Sequence, residues 1–134
     1  PMAGRERSGF GASSADRFRG CPWSLTPSSP AARRVVARLI RDVGARPVVV
    51  PADAHDRAMA YLSHLPQIVA WALAAAARGD RVTARLLRLA GPGFRDMTRL
   101  AGSPRALWRE VLAQNAAEVA RARRDLLRAL QVRP

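Results

Sequence analysis

Two short segments of this 134-residue chain combine polar side chains in patterns that could bind and orient a polar ligand. In the first, HDRAMAYLSHLPQ, Ser63 and Gln67 are four residues apart, so both would lie on one face of a helix and could hydrogen-bond one ligand. In the second, GPGFRDMTR, Asp96 lies three residues before Arg99, a spacing that would let the carboxylate orient the guanidinium. A plain ion pair on a helix surface has the same spacing, so this pair by itself leaves both interpretations open.

Each segment also contains residues that constrain its backbone. Pro66 lies where a helix interior is expected, and proline there removes a backbone hydrogen bond at a cost of about 3 kcal/mol. We therefore expect a kink near Pro66, with a freed carbonyl group among polar side chains. Gly91 and Gly93 predict a tight loop, because glycine accepts positive φ angles and lets the backbone approach a ligand closely.

The composition is strongly basic, with a formal net charge of +13. All 23 basic residues are arginines, which indicates a compositional bias rather than a dedicated nucleic-acid surface. No aromatic side chains interleave with the arginines, as a base-stacking surface would require. We therefore expect a solvated basic surface around an anionic-substrate site, and no nucleic-acid partner.

Other partners and compartments are constrained by single residue types. Cys21 is the only cysteine, which excludes an internal disulfide and predicts a reducing, cytoplasmic environment. His55 and His64 have no third ligand at a sensible spacing, so we expect no metal site. No apolar run reaches about eighteen residues, so we expect no membrane span. His55 and Asp56 could belong to the ligand site, or they could only begin the helix, where an aspartate suits the positive end of the helix dipole.

The elements before Pro51 predict a small strand–helix–strand unit. Strands are expected at Trp23–Thr26 and Arg46–Val50, and a helix at Ala31–Val43 that ends before Gly44. One face of this helix is predicted to be buried, and it consists of Val35, Val36, Leu39, Ile40 and Val43. A parallel unit of this size cannot cover both faces of its sheet, so it resembles the trailing edge of a larger α/β domain.

The chain after Pro51 is predicted to be helical throughout. Asp53 would begin a long helix that runs to about Arg78, and Gly79–Asp80 would begin another. Ser103–Pro104 would open a last helix to about Leu130. That helix has a heptad seam of Trp108, Leu112, Asn115, Val119, Ala122, Leu126 and Ala129. The seam is typical either of a dimer surface or of packing against the chain's own helices.

Three motifs together carry a resemblance to a known family. The runs PMAGRERSG, HD…SHLPQ and GPGFRDMTRLAGSPRALW are similar, in order and spacing, to the C-terminal part of prephenate dehydrogenase. The resemblance implies a mostly α fold with a Rossmann-type α/β remnant in residues 1–51. It further implies an all-helical dimerisation and substrate domain in residues 52–134, similar to the C-terminal domain of 6-phosphogluconate dehydrogenase, and hence a homodimer.

The implied activity is the NAD- or NADP-dependent oxidative decarboxylation of prephenate to 4-hydroxyphenylpyruvate in tyrosine biosynthesis. By resemblance, Arg99 anchors a substrate carboxylate, because guanidinium binds carboxylate through two parallel hydrogen bonds. Many family members have histidine where Gln67 stands, which leaves the choice between prephenate and its amino analogue arogenate open. The implied substrate-binding residues are Arg99, Ser63, Gln67, Asp96, Gly93 and Glu6.

The resemblance also implies that essential parts of the reaction lie outside this sequence. In the family, a histidine that directly precedes the PMAG run acts as the general base, and this sequence starts at Pro1. The glycine-rich phosphate loop of a dinucleotide-binding domain is also absent. We therefore expect no catalytic residue in this chain and no activity from it alone. The alternative is a non-catalytic helical module for dimerisation or ligand binding.

Overall fold

The structure, a computed structural model, describes residues 9–26 and 29–131, which form two compact units divided between His55 and Asp56. The predicted fold class is confirmed: the chain is mostly helical, with one small parallel sheet. Within the described ranges, no helix is both long and apolar enough to cross a bilayer.

The first unit is the predicted strand–helix–strand unit. After a short 3₁₀ helix at Phe10–Ala12, its elements are β1 (Pro22–Leu25), α1 (Pro30–Asp42) and β2 (Arg46–Val49). The two strands are parallel, with Trp23 opposite Pro47. Local chemistry fixes both ends of α1. The Ser29 hydroxyl accepts a hydrogen bond from the Ala32 N–H at 3.1 Å, and Gly44 has a φ of 77° just beyond the last turn.

The predicted buried face of α1 is largely wrong. Ile40 is only 1% exposed, but Val35 is 70% exposed, and Val36, Leu39 and Val43 are exposed as well. The physical reason is that a two-stranded sheet offers the helix a narrow surface, which covers one line of side chains only. The remaining apolar residues of α1 are therefore not covered by any described element of this unit.

A long helix interrupted by a π turn leads into the second unit. It consists of α2 (Ala52–Met59), a π-helical segment (Ala60–His64) and α3 (Leu65–Gly79). At the end of this segment the Leu65 N–H donates to the carbonyl of Ala60, five positions earlier. Pro66 has no N–H to donate, and a π turn directly before it accommodates the lost hydrogen bond. The predicted irregularity at Pro66 is thus a π turn.

Four α-helices and two 3₁₀ segments follow α3 among the described residues. Asp80 accepts a hydrogen bond from the Thr83 N–H at 2.7 Å and so begins α4. The elements in order are α4 (Arg81–Leu86), a 3₁₀ helix (Leu87–Leu89), α5 (Pro92–Thr98), a 3₁₀ turn (Arg99–Gly102), α6 (Arg105–Gln114) and α7 (Ala116–Gln131).

The single last helix that the sequence predicted is wrong, because Asn115 divides it. Asn115 has φ −121° and ψ 32°, outside the helical region, and separates α6 from α7. The core of the second unit lies at this junction. Ala60 of the π turn packs there with Val119 and Ala122 of α7, and Leu112 of α6 packs against them. In the heptad seam, Val119 and Ala122 are therefore buried against the chain's own helices, and Leu112 is half-buried there.

Candidate functional site

Gln67 joins the two segments that the sequence singled out. Its side chain is fully buried, and its Nε2 donates a hydrogen bond of 2.6 Å to the carbonyl of Leu100. Leu100 directly follows Arg99 in the 3₁₀ turn Arg99–Gly102, which packs against α3. Because helix α3 is held against this turn, the predicted substrate residues of both segments belong to one region of the second unit.

The other end of the Gln67 amide has no partner. Its Oε1 is buried and accepts no hydrogen bond from any described residue. A buried acceptor without a donor costs about 1–3 kcal/mol, so such groups in native proteins are usually satisfied by water or a ligand. The Oε1 atom of Gln67 is therefore an unpaired acceptor that has no accessible surface in this structure.

Arg99 and Asp96 lie one turn apart where α5 ends. The Arg99 N–H donates to the carbonyl of Asp96, and both residues are exposed. Within α5 the Thr98 hydroxyl donates to the carbonyl of Phe94 at 2.7 Å, so this end of the helix is held by a side-chain bond as well. The arrangement presents one cation and one anion at the surface next to the Gln67–Leu100 bond.

The predicted glycine loop is wrong in its conformation. Gly91 is the residue before α5, with φ −80°, and Gly93 lies inside the helix behind Pro92. Proline suits the first turn of a helix, and this places the following glycine in helical geometry. Among the described glycines, positive φ occurs instead at Gly9, Gly20 and Gly44. A side chain at Gly93 would meet no atom within 4 Å, so the space beside it is open.

Of the other predicted site residues, the structure describes Ser63 but not Glu6. Ser63 lies in the π turn, half-buried, one turn before Gln67. Glu6 lies outside the described residues. His64 is buried, with its ring edge-on to Trp108 at 6.2 Å and its Nδ1 3.4 Å from Asn115 Nδ2.

Asn115 also donates a hydrogen bond of 2.7 Å to the carbonyl of Asp56. Asn115, a member of the heptad seam, thus links the break between α6 and α7 to α2. This role was not predicted, because the sequence gives no sign that the helix ends at Asn115.

An aromatic cluster on α3 and α6 was also not predicted. The rings of Trp71 and Trp108 meet edge-on at 6.3 Å, and the Arg105 guanidinium lies 4.7 Å from the centre of the Trp71 ring. Trp71 Nε1 is buried and donates to no described residue. Trp71 lies one helical turn after Gln67. Helix α3 therefore carries two buried polar atoms without a described partner, the acceptor Oε1 of Gln67 and, one turn later, the donor Nε1 of Trp71.

A Tyr–Asp pair fastens α7 to the π turn. The Tyr61 hydroxyl donates to a carboxylate oxygen of Asp125, which also forms an ion pair with Arg128. The hydrogen bond from Tyr61, and then that from Arg128, lower the pKa of Asp125 below its ordinary range. The same bond to Asp125 raises the pKa of Tyr61.

One cleft of about 330 Å³ lies beside this region, between the end of α3 and helix α5. Arg78 and Arg95 are among its lining residues, with apolar side chains that include Leu87 and Phe94. Neither Gln67 nor Arg99 lines it. The cleft is therefore distinct from the region around the Gln67–Leu100 bond.

Metal ions and dinucleotides each require a characteristic set of residues. In residues 9–26 and 29–131, no group of three or more histidine, cysteine or acidic side chains could hold a metal ion. The whole sequence contains no glycine-rich GxGxxG run of the kind that cradles a pyrophosphate.

Comparison with known families identifies the helical part of the chain. Residues 51–132 match the family described as "Prephenate dehydrogenase, dimerization domain". The chain belongs to this family. The matched range begins just before α2 and ends just after α7, so it includes both segments that the Gln67–Leu100 bond joins.

Individual members of the family resemble nearly the whole chain. The cyclohexadienyl dehydrogenase of Zymomonas mobilis is 32% identical over 121 residues, which are 87% of this chain and 41% of that protein. A prephenate dehydrogenase of A. aeolicus, solved in complex with hydroxyphenyl propionate and NAD+, is 30% identical with a TM-score of 0.87. A Synechocystis arogenate dehydrogenase is 26% identical with a TM-score of 0.80.

The matches cover these proteins only in part. This chain is covered to 97% in both structural comparisons, but it covers 47% of the A. aeolicus chain and 49% of the Synechocystis chain. The chain therefore spans less than half the length of these relatives.

Proposed function

We propose that this chain is the C-terminal part of a dehydrogenase that converts prephenate to 4-hydroxyphenylpyruvate in tyrosine biosynthesis, with NAD or NADP as the cofactor. The observation that carries the proposal is the Gln67–Leu100 hydrogen bond, which brings the SHLPQ and FRDMTR motifs of this family together. The proposed division assigns residues 1–51 to the end of a nucleotide-binding domain and residues 52–134 to the substrate and dimerisation domain. The single cysteine of this chain favours the cytoplasm as the compartment of the protein, because thiols stay reduced there.

In this proposal the residues of the chain bind and orient the substrate. Arg99 holds a substrate carboxylate through its planar guanidinium, and Asp96 restricts the directions available to that guanidinium. Ser63 provides a hydroxyl on the face of Gln67, and the open space beside Gly93 admits the ligand. Glu6 is assigned to the same site from its motif.

The proton-accepting base and most of the cofactor site are assigned to residues outside this sequence. A nicotinamide cofactor held by those residues would supply the hydride acceptor for the oxidation, in which the substrate loses carbon dioxide and its ring becomes aromatic. The chain alone is therefore proposed to be inactive, since it positions the substrate without holding the groups that react with it.

The same domain is proposed to form a homodimer. Several large apolar side chains of the second unit are exposed, including Leu127 and Leu130 on α7, at 60% and 72%. They are three residues apart and so lie on one face of α7. An exposed apolar face on a family dimerisation domain is the support for a second copy of the chain as its partner.

A second candidate substrate, arogenate, is favoured by the orphaned Oε1 of Gln67. Arogenate carries an ammonium group where prephenate carries a keto group, and an ammonium can donate to an amide oxygen such as Oε1 of Gln67, which has to become accessible for this contact. A keto group cannot donate, so it would have to meet the Nε2 end, which is already bound to Leu100. The third candidate, a non-catalytic helical module, retains the same fold without the reaction.

The reading frame upstream of Pro1 and the activity of the protein that it encodes test the proposal. We expect a dinucleotide-binding segment in that frame, and reduction of NAD+ or NADP+ by the full-length protein with prephenate or arogenate. The ratio of kcat/KM for the two substrates separates the first two candidates. A start codon at this point, with no upstream frame, would support the non-catalytic module instead.

A further inference from the structure

The cleft beside α5 has the features of a second small-molecule site. Its volume of about 330 Å³ is at the lower end of the roughly 300–1,000 Å³ that small-molecule sites occupy. It is bounded by the end of α3, by the 3₁₀ helix after α4, by α5 and by the turn that follows α5. All of these elements belong to the second unit.

The lining of the cleft is mostly apolar. Leu87 and Phe94 provide its large side chains, and three alanines complete the surface. Thr98 also lines the cleft, but its hydroxyl already donates to the Phe94 carbonyl. Apolar walls that include an aromatic ring favour a ligand with a flat apolar body.

The charged residues of the cleft are both cations. Arg78 at the end of α3 and Arg95 on α5 line it, and no carboxylate does. Among the described residues, neither guanidinium forms an ion pair. Two guanidinium groups without a counterion attract an anion, and a carboxylate matches their planar donor geometry.

We propose that this cleft binds a small aromatic carboxylate, with the carboxylate between Arg78 and Arg95 and the ring against Phe94 and Leu87. The site goes beyond the proposed substrate site and does not depend on it, because Ser63, Gln67 and Arg99 do not line the cleft.

The test is calorimetric titration of the chain with 3-phenylpropionate in an Arg99→Gln background, which removes the proposed carboxylate anchor of the other site. We expect saturable binding that weakens at least tenfold in the double variant Arg78→Gln, Arg95→Gln. The double variant Arg81→Gln, Arg88→Gln removes the same charge from exposed positions outside the cleft and should bind as before. The neutral 3-phenylpropionamide should bind at least tenfold more weakly than the acid.

A second variant tests the position of the ring. Ala90 lines the cleft, so Ala90→Leu should fill it and weaken 3-phenylpropionate binding without changing the charge. Circular dichroism confirms that each variant is folded.

Four results would overturn the proposal. They are unchanged binding in the Arg78/Arg95 variant, equal loss in the Arg81/Arg88 variant, competition by sulfate at an affinity equal to that of the acid, and a change of oligomeric state in the Arg78/Arg95 variant. The last would show that a second copy of the chain covers the cleft. The proposed function can fail separately. If the full-length protein lacks dehydrogenase activity, the proposed substrate site with Arg99 is contradicted, but the binding measured at the cleft still stands.

Discussion

The side-chain amide of Gln67 reaches from the interior of α3 to the carbonyl of Leu100, 33 residues later in the chain. Through this hydrogen bond, helix α3 holds the 3₁₀ turn Arg99–Gly102 in place. The donor of the bond belongs to a fully buried side chain, and Leu100, which carries the acceptor, is half-buried. The position of the proposed carboxylate anchor therefore depends on a residue that belongs to the other motif.

Replacing Gln67 with glutamate should destabilise the second unit. Glutamate keeps the size and the Oε1 acceptor, but it removes the donor to the Leu100 carbonyl and places a carboxylate at a buried position, so about 1–3 kcal/mol or more should be lost at neutral pH. Chemical denaturation of the chain should show this loss. Gln114→Glu, the same change at an exposed position at the end of α6, should leave the stability nearly unchanged. Equal stabilities for the two variants would contradict the assigned role of the bond.

Arg99→Lys in the full-length protein should weaken substrate binding. The variant keeps the charge but loses the two parallel hydrogen bonds, so roughly 2–4 kcal/mol should be lost. The effect should appear as a raised KM for prephenate or arogenate, with little change in the KM for the nicotinamide cofactor. Arg95→Lys is the matched control, because Arg95 lines the separate cleft. If Arg95→Lys proved the more damaging change, the assignment of Arg99 would be wrong.

The second unit should be dimeric in solution through the exposed face of α7. Leu127→Glu together with Leu130→Glu should convert the dimer to a monomer, because charges would be buried at the contact. Val35→Glu, at an exposed position outside the matched family range, should leave the dimer intact. Sedimentation measures both. A well-folded wild-type monomer at high micromolar concentration would rule out this dimer.

The Tyr61–Asp125 pair should give the folding stability a defined pH dependence. The pKa of Asp125 is lowered on folding, so its contribution is present above the unfolded pKa of about 4 and is lost as the pH falls through the folded value. The pKa of Tyr61 is raised, so its contribution is present below about pH 10 and is lost as the pH rises through the folded value.

The variant Tyr61→Phe tests this pair. It should lower the thermal midpoint at neutral pH, flatten the alkaline dependence and weaken the acid dependence. Thermal melts between pH 3 and 11 provide the measurement. A pH profile that is identical to that of the wild type would show that the pair contributes nothing.

The sequence by itself determined the local features of this protein. The end of α1 before Gly44, the cap of α4 at Asp80 and the irregularity before Pro66 each depend on groups within a few residues of one another. Such interactions are encoded by neighbouring residue types, so they could be predicted along with the mostly helical fold and the family.

Only the tertiary structure decided how distant segments meet. The break at Asn115, the burial of Gln67 against Leu100 and the pairing of Tyr61 with Asp125 join residues that are 33 to 64 positions apart. The same holds for the burial of Val119 and Ala122 against Ala60, where the heptad pattern fitted either an internal or an external partner. Periodicity tells which face of a helix is apolar, but which partner covers that face is settled by packing in three dimensions.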